Sequence, residues 1–276
     1  MRAPLSRALL APENVQSLMA SMSHKAALVI GHPGHELRVL GWLKDRKPLV
    51  LILTDGAGHG EEPRTDLSRS LVAEAGAKCG DIFGQVPDQR LYRAILELDF
   101  DFFLNLSNTL ATSLELAEID WVAGDSVEGY NPAHDLCRSM IDRAIRTIRD
   151  RTGRDIDNFQ FPLIGHPAAW SAHTGAFCHR LGEAELKDKI AMVRRYADSA
   201  GGILVAEVEE AMATFGERIF ADEWFSPASA TANSLPFESE PPFYEKHGEA
   251  RVAAGHYKYV IRYKDHIAKI ALALQA

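Results

Sequence analysis

Two apolar runs near the start of the chain constrain its fold most. "KAALVIG" (25–31) and "KPLVLILTDG" (47–56) are too short for buried helices, and neither alternates apolar with polar residues. A strand with one face in water alternates with period two, whereas an unbroken apolar run needs cover on both faces. Helices supply that cover. Between the runs, "HELRVLGWLKDR" places Leu37, Leu40 and Leu43 near one face of a helix. "RTDLSRSLVAEAGAKCGDIFG" reads as a further helix, and "LELAEIDWVAGD" as a helix end followed by a strand. "NPAHDLCRSMIDRAIRTIRDR" reads as a helix with Asn131 as N-cap and Pro132 in its first position. Cys137, Ile141, Ala144, Ile145 and Ile148 recur along it at helical spacing. "DNFQFPLIGHP" reads as one more strand. The alternation predicts an α/β fold: a Rossmann-like, mostly parallel sheet with helices on both faces, in a single domain.

Residues 1–24 read as a lead-in helix and tail, and 25–276 as the α/β domain. Beyond residue 180, "EAELKDKIAMVRRYADSA" is an amphipathic helix and "ATFGERIFADEWFSP" a strand with a turn. Residues 226–250 form a surface excursion rich in Pro, Ser and Gly. Its Phe237, Phe243 and Tyr244 either wall a pocket or bury an interface. "HYKYVIRYKDHIAKIALALQA" closes the chain as a helix. A hydrophobic fraction of 46% fills a sizeable core. A net charge of −8, without a Lys/Arg cluster, argues against nucleic acid as a partner. The three scattered cysteines form no disulfide framework and fit a reducing compartment, so the cytoplasm is expected. No run approaches the ~18 apolar residues of a membrane span. The expected partner is a small-molecule substrate, with homo-oligomerisation left open.

Three polar clusters fall where strands give way to helices, which is where such sheets place their active sites. They are "GHPGHE" (31–36), "TDGAGHG" (54–60) and "GDSVEGYNPAH" (124–134). The first fits a tight connection or a metal site. His32 and His35, three residues apart, can both reach one zinc-type ion at ~2.0–2.1 Å. His134, in the first turn of its helix, is the best third ligand. Three histidines plus water describe an open, catalytic site. The spacing does not match HExxH, and "GAGHG" does not complete a dinucleotide-binding GxGxxG.

At this point the motifs resemble a known family. "ALVIGHPGHE", "LVLILTDGAGHG", an Arg/Glu-bearing helix, "VPDQRL", "IDWVAGDSVEGYNPAHD" and "LKDKIAMVRRYADS" follow the motif order of the PIG-L/LmbE-like zinc-dependent N-acetylglucosamine deacetylases. The resemblance spans roughly residues 25 to 225. It implies a Rossmann-like sheet, zinc held by two His and one Asp, and hydrolysis of an N-acetyl group on an amino sugar. Within it, His32 matches the first histidine ligand, His134 the last, and Glu36 the glutamate that supports the first motif.

The chain departs from the family at four positions. His35 stands at the aspartate ligand, an exchange that keeps a metal donor. Gly34 stands at the general base, and glycine moves no proton. Asn131 replaces the first His of the late motif, and Ala133 its aspartate. The expectation is a metal-dependent amide hydrolase with a remodelled site. His32, His35 and His134 bind Zn2+, and Asp55 or Glu128 takes over proton transfer. Asn131 donates a hydrogen bond to an oxyanion, and Arg69, His59 and His166 face the substrate. Against this stand simpler roles. Asp55 is a turn residue, Asn131 an N-cap, Asp125 and Glu128 are solvated loop carboxylates, and Arg69 pairs with Asp66 or Glu74. A non-catalytic binding module that keeps the deacetylase fold is the alternative for the whole chain.

Overall fold

The computed structural model describes residues 25–58, 62–228, 237 and 239–276. The expected lead-in helix of residues 1–24 and His59 lie outside the described residues. The strands are β1 (Ala26–Ile30), β2 (Leu49–Thr54), β3 (Lys78–Val86), β4 (Trp121–Asp125), β5 (Asp157–Phe161), β6 (Phe177–Arg180) and β7 (Asp222–Pro227). They form one sheet in the order β3-β2-β1-β4-β5-β7-β6. The first five are parallel, and β7 runs antiparallel to both β5 and β6.

The central strand shows why the first run is unbroken. Leu28 lies between Val50 of β2 and Ala123 of β4, and none of the three is exposed. The helices are α1 (Leu40–Arg46), α2 (Thr65–Glu74), α3 (Asp88–Glu97), α4 (Phe100–Leu116), α5 (Pro132–Thr152), α6 (Glu183–Ala200), α7 (Gly202–Phe215), α8 (Phe243–Ala253) and α9 (Ala268–Gln275). On one face of the sheet Val29, Leu51 and Val122 pack with Leu110 and Leu114 of α4, Ile141 of α5 and Ile270 of α9. On the other, Leu28, Val50 and Ala123 pack with Leu40 and Leu43 of α1 and Leu71 of α2. Both faces are therefore dry, as continuous apolar strands require.

Several boundaries differ from the sequence expectation. The helix expected through residue 84 stops at Glu74. Gly76, at φ 74°, turns the chain, and Lys78–Val86 enters the sheet as β3. Helices α3 and α4 occupy a stretch for which no element was predicted up to the helix end before β4. The excursion is not structureless throughout, since Phe243–Ala253 is helical directly after Pro242. The closing helix starts with a π-turn at Tyr263 rather than at His256. Among the described residues no helix is long and apolar enough to cross a membrane.

A buried ion pair ties the later elements to the first half of the sheet. Lys189 Nζ of α6 lies 2.6 Å from Glu223 Oε1 of β7, with the two side chains 3% and 0% exposed. Glu223 also accepts the N–H groups of Gly41 (2.8 Å) and Trp42 (2.7 Å), which satisfies two orphan donors at the start of α1.

Candidate metal and active site

The strand order changes direction between β1 and β4, where α/β sheets open a crevice at the carboxyl ends of their strands. The "GHPGHE" turn leaves β1 there. Gly31 is pinned on both sides. Its N–H donates to Asp125 Oδ2 at the end of β4 (2.7 Å), and its carbonyl accepts from the N–H (3.0 Å) and hydroxyl (2.9 Å) of Thr54. A Cβ at Gly31 would stand 3.1 Å from Asp125 Oδ2, so the residue must be small. Gly34 has φ 108°, a conformation that L side chains rarely adopt. Its N–H donates to Glu36 Oε2 (2.7 Å). Glu36 is fully buried, its other oxygen accepts from the Ser68 hydroxyl, and Ser68 Oγ is 3.0 Å from the Tyr196 hydroxyl. Burial raises the Glu36 carboxyl above its ordinary value, and the bonds from Ser68 and Gly34 partly offset this. Glu36 thus supports the turn from beneath.

His134 reaches the crevice from the first turn of α5. Asn131 Oδ1 caps that helix by accepting from Ala133 N–H (2.8 Å), and Pro132 fills the first helical position. The fold brings His32, His35 and His134 together. Their ring centroids are 5.5 Å (32–35), 5.1 Å (32–134) and 4.4 Å (35–134) apart.

Two of the three imidazoles are backed by buried carboxylates. His35 Nδ1 lies 2.9 and 3.0 Å from the oxygens of Asp125. His32 Nδ1 lies 2.7 Å from Thr54 Oγ1 and 3.1 Å from Asp88 Oδ1. The Thr54 hydroxyl donates to Gly31, so His32 is the donor in that contact. Both rings then carry their proton on Nδ1 and keep the lone pair of Nε2 for a ligand, the pattern found behind metal-bound histidines. Burial lowers the His35 pKa, with Asp125 opposing. Burial, then the fields of His35 and His32, lowers that of His134 strongly. These two imidazoles are therefore neutral at pH 7, as ligands must be. Burial acts to raise the Asp88 carboxyl, but the neighbouring His32 imidazole and the hydrogen bond from the Gly58 N–H outweigh that and hold it well below the usual carboxylate range.

The donor chemistry fits a divalent ion of the zinc type. The rings pack edge to face, with interplanar angles of 89°, 66° and 85°. That is contact between neighbouring imidazoles and not a finished coordination sphere. Among the described residues, no group of three or more His, Cys, Asp or Glu is arranged to hold a metal ion as it stands. The Asp125 contact supplies a test. Asp125→Asn removes the charge behind His35, and changes of this kind typically weaken metal affinity ~10–100-fold. A chelator-competition titration with zinc is expected to show such a loss. Unchanged affinity would separate Asp125 from metal binding.

The other sequence candidates fall as follows. Asp55 Oδ1 accepts from the N–H groups of Ala57 (3.0 Å) and Asp88 (3.0 Å), so it orders the loop after β2 and the start of α3. Glu128 accepts from the N–H groups of Leu163 (2.9 Å) and Ile164 (3.2 Å), and burial raises its pKa. Asn131 is the helix cap, and its Nδ2 is 3.1 Å from the Tyr92 hydroxyl. Asp125, read alternatively as a solvated loop carboxylate, is fully buried. The structure does not bring Arg69 or His166 to the three histidines. Arg69 is exposed and lies over the Phe83 ring at 4.7 Å, not paired with Asp66 or Glu74. His166 is exposed, caps the 3-10 turn Pro167–Ala172 and meets Phe215 edge-on at 5.5 Å.

Sequence reasoning missed Arg64, Asp88 and Thr54. The field of Arg64, which directly precedes α2, reaches His35, Glu36, Tyr92 and Tyr196. Its Nε is buried with no hydrogen-bond partner among the described residues. Arg64 and Arg69 are only five positions apart, and sequence alone does not decide which one faces the crevice. Asp88 lies within the quoted "VPDQRL", which was the available signal for it.

No protein-family model matches the chain, and no curated protein sequence matches it. Solved structures with a similar course of chain include deacetylases. A deacetylase–teicoplanin complex from the teicoplanin biosynthesis pathway is 11% identical, covers 74% of this chain and 97% of its own, and has a TM-score of 0.47. The zinc-inhibited form of teicoplanin deacetylase is 12% identical, with the same coverage and a TM-score of 0.47. The deacetylase of the antimicrobial A40926 pseudoaglycone is 13% identical, covers 75% of this chain and 97% of its own, and has a TM-score of 0.48.

Proposed function

We propose that the protein is a metal-dependent amide hydrolase, an N-deacetylase of an N-acetylated sugar or similar small polar substrate, working in the cytoplasm. The family reading is that of a PIG-L/LmbE-like deacetylase with HPGHE in place of HPDDE. The observation that carries it is the convergence of three imidazoles at the switch point of the sheet, two of them backed by buried carboxylates. His32, His35 and His134 would hold the ion. When bound, a zinc ion supplies Lewis acidity, acidifying water and polarising an amide carbonyl.

The chain's own residues do the rest. Asp125 and the Thr54–Asp88 pair orient the His35 and His32 rings, and Glu36 fixes the turn between them. Arg64 brings a positive charge for the acyl oxygen or a neighbouring substrate group. Asn131 keeps its cap and contributes to an oxyanion through its amide nitrogen. Asp55 and Glu128 are the carboxylates available to move a proton, and general-base catalysis is typically worth ~10²–10⁴-fold. The deciding experiment is zinc content of the purified protein together with acetate release from a panel of N-acetyl sugars. Bound zinc with acetate release is expected. A protein that takes up no zinc would overturn the assignment.

One observation favours a second reading, a non-catalytic binding module. Gly34 occupies the place of the family's base, and both Asp55 and Glu128 already accept backbone hydrogen bonds. On the enzyme reading, Asp55→Asn or Glu128→Gln lowers turnover at least ~10²-fold with zinc retained. On the binding-module reading the wild type is inert on every N-acyl substrate and Gly34→Asp gains activity. That variant must also absorb the strain of a side chain at φ 108°, a cost of about 1–3 kcal/mol.

A further inference from the structure

Helix α3 meets the crevice twice, one turn apart. Asp88, its first residue, lies against His32, with Oδ1 3.1 Å from Nδ1. Tyr92 follows four positions later, on the same face of the helix. Its hydroxyl reaches the start of α5, 3.1 Å from Asn131 Nδ2 and 3.2 Å from Asn131 Oδ1. Asn131 is tied to the third histidine, since its carbonyl accepts the His134 N–H (3.2 Å). The same stretch packs on the turn that leaves β1, where the Ala133 carbonyl is 3.7 Å from the place a Cβ of Gly31 would take. One helical turn of α3 thus separates the residue behind His32 from the residue that holds the His134 turn.

The Tyr92 contact does more than an N-cap requires. Asn131 Oδ1 accepts the Ala133 N–H (2.8 Å), which completes the cap. Serine or aspartate caps equally well and carries no nitrogen, so the cap has no use for Nδ2. It does decide which way the amide faces. Turned over, Nδ2 would confront the Ala133 N–H, two donors without an acceptor. Nδ2 therefore faces the Tyr92 hydroxyl and donates one hydrogen to it. A primary amide nitrogen carries two hydrogens, and the second is left for a ligand. With its oxygen held by the helix and its nitrogen by the phenol, the amide is fixed before any ligand arrives. That is the condition under which a donor best stabilises developing negative charge. The phenol also keeps its proton, because burial and then the charge of Asp88 raise its pKa, against the opposing bond to Asn131.

Resting on the deacetylase reading, we infer that Tyr92 is a positioning residue for the reaction: its hydroxyl holds the Asn131 amide so that the second Nδ2 hydrogen serves the acyl oxygen of the substrate. Helix α3 then sets the metal side of the crevice through Asp88 and its oxyanion side through Tyr92.

Tyr92→Phe tests this, because it keeps the ring and its packing and removes only the oxygen. Asn131→Ser is the companion, since serine keeps the cap and has no nitrogen. Zinc-loaded wild type, both single variants and the double variant are compared in hydrolysis of methyl N-acetyl-β-D-glucosaminide and in calorimetric binding of acetate, the acyl product. Zinc content and Tm serve as controls. Loss of one oxyanion donor typically costs ~10²–10³-fold in turnover, so Asn131→Ser is expected to lose ~10²-fold in kcat. Tyr92→Phe, which loosens the donor without removing it, is expected to lose ~10-fold in kcat with KM and zinc content unchanged. Acetate affinity is expected to fall ~10-fold in Asn131→Ser and ~3-fold in Tyr92→Phe. In the Asn131→Ser background Tyr92→Phe is expected to have no further effect, an outcome that a packing role would not produce. Wild-type kcat and acetate affinity in Tyr92→Phe, or losses of the same size with and without Asn131, overturn the inference and leave the deacetylase reading standing. If the wild type releases no acetate, that reading falls, and acetate binding decides alone. Affinity lowered by Tyr92→Phe only when Asn131 is present sustains the pair as an acyl-oxygen clamp. Equal affinity, or no acetate binding by the wild type, overturns it.

Discussion

His134→Ala is expected to abolish zinc retention while the α/β fold stays intact. The three imidazoles come from two separate segments, and His134 is the only one supplied by α5. Changes behind a ligand already cost ~10–100-fold in affinity, so loss of a ligand should exceed that. Metal that binds only the folded state adds about 2.7 kcal/mol of stability at a hundredfold excess over Kd. For a domain of this size 1 kcal/mol moves Tm by about 2–4 °C, so zinc should raise the wild-type Tm by about 5–10 °C and leave that of His134→Ala unmoved. Thermal unfolding with and without zinc, alongside metal analysis after dialysis, reads both effects. Stoichiometric zinc in the alanine variant would sink the three-histidine assignment.

The second large effect lies away from the crevice. Lys189→Met leaves Glu223 buried at 0% exposure without its cation, although it still caps the start of α1. Breaking a buried pair from one side costs about 3–5 kcal/mol, because the remaining charge is uncompensated. The Lys189 ammonium also donates to Arg38 O (2.9 Å), so that carbonyl loses a partner too. Chemical denaturation should show a drop in this range. Lys189→Met combined with Glu223→Gln should recover part of it, since the uncompensated charge is gone, although the single amide oxygen can take the place of only one of the two carboxylate oxygens that accept from Gly41 and Trp42. A single variant as stable as wild type would mean that the pair does not hold α6 and β7 to α1. Zinc affinity serves as the control, because the pair sits behind the turn and not among the histidines.

The one-dimensional pattern determined a good deal. Unbroken apolar runs can be satisfied only between two helical layers, so "KAALVIG" and "KPLVLILTDG" by themselves imply a covered parallel sheet. Asn131-Pro132 fixes the start of α5 because cap chemistry is local. The HxxH turn and the "NPAH" helix start are likewise local signals, and each places an imidazole at the end of a strand.

What sequence could not decide was long-range. Which carboxylate stands behind which imidazole depends on strand order: Asp125 meets His35 only because β4 pairs with β1, and Asp88 meets His32 only because β2 and β3 pack on the other side. Arg64 and Arg69 are equivalent in composition and separate only when α2 docks, which buries the Nε of one and lays the other over Phe83. The helix expected through residue 84 failed because a single left-handed glycine, Gly76, ends it, and pairing with β2 then outweighs local helix propensity. The left-handed backbone of Gly34 could not be read from its neighbours either. It goes with the hydrogen bond to buried Glu36, whose other oxygen accepts from Ser68, itself 3.0 Å from the Tyr196 hydroxyl, and both of these partners are far from Gly34 in sequence.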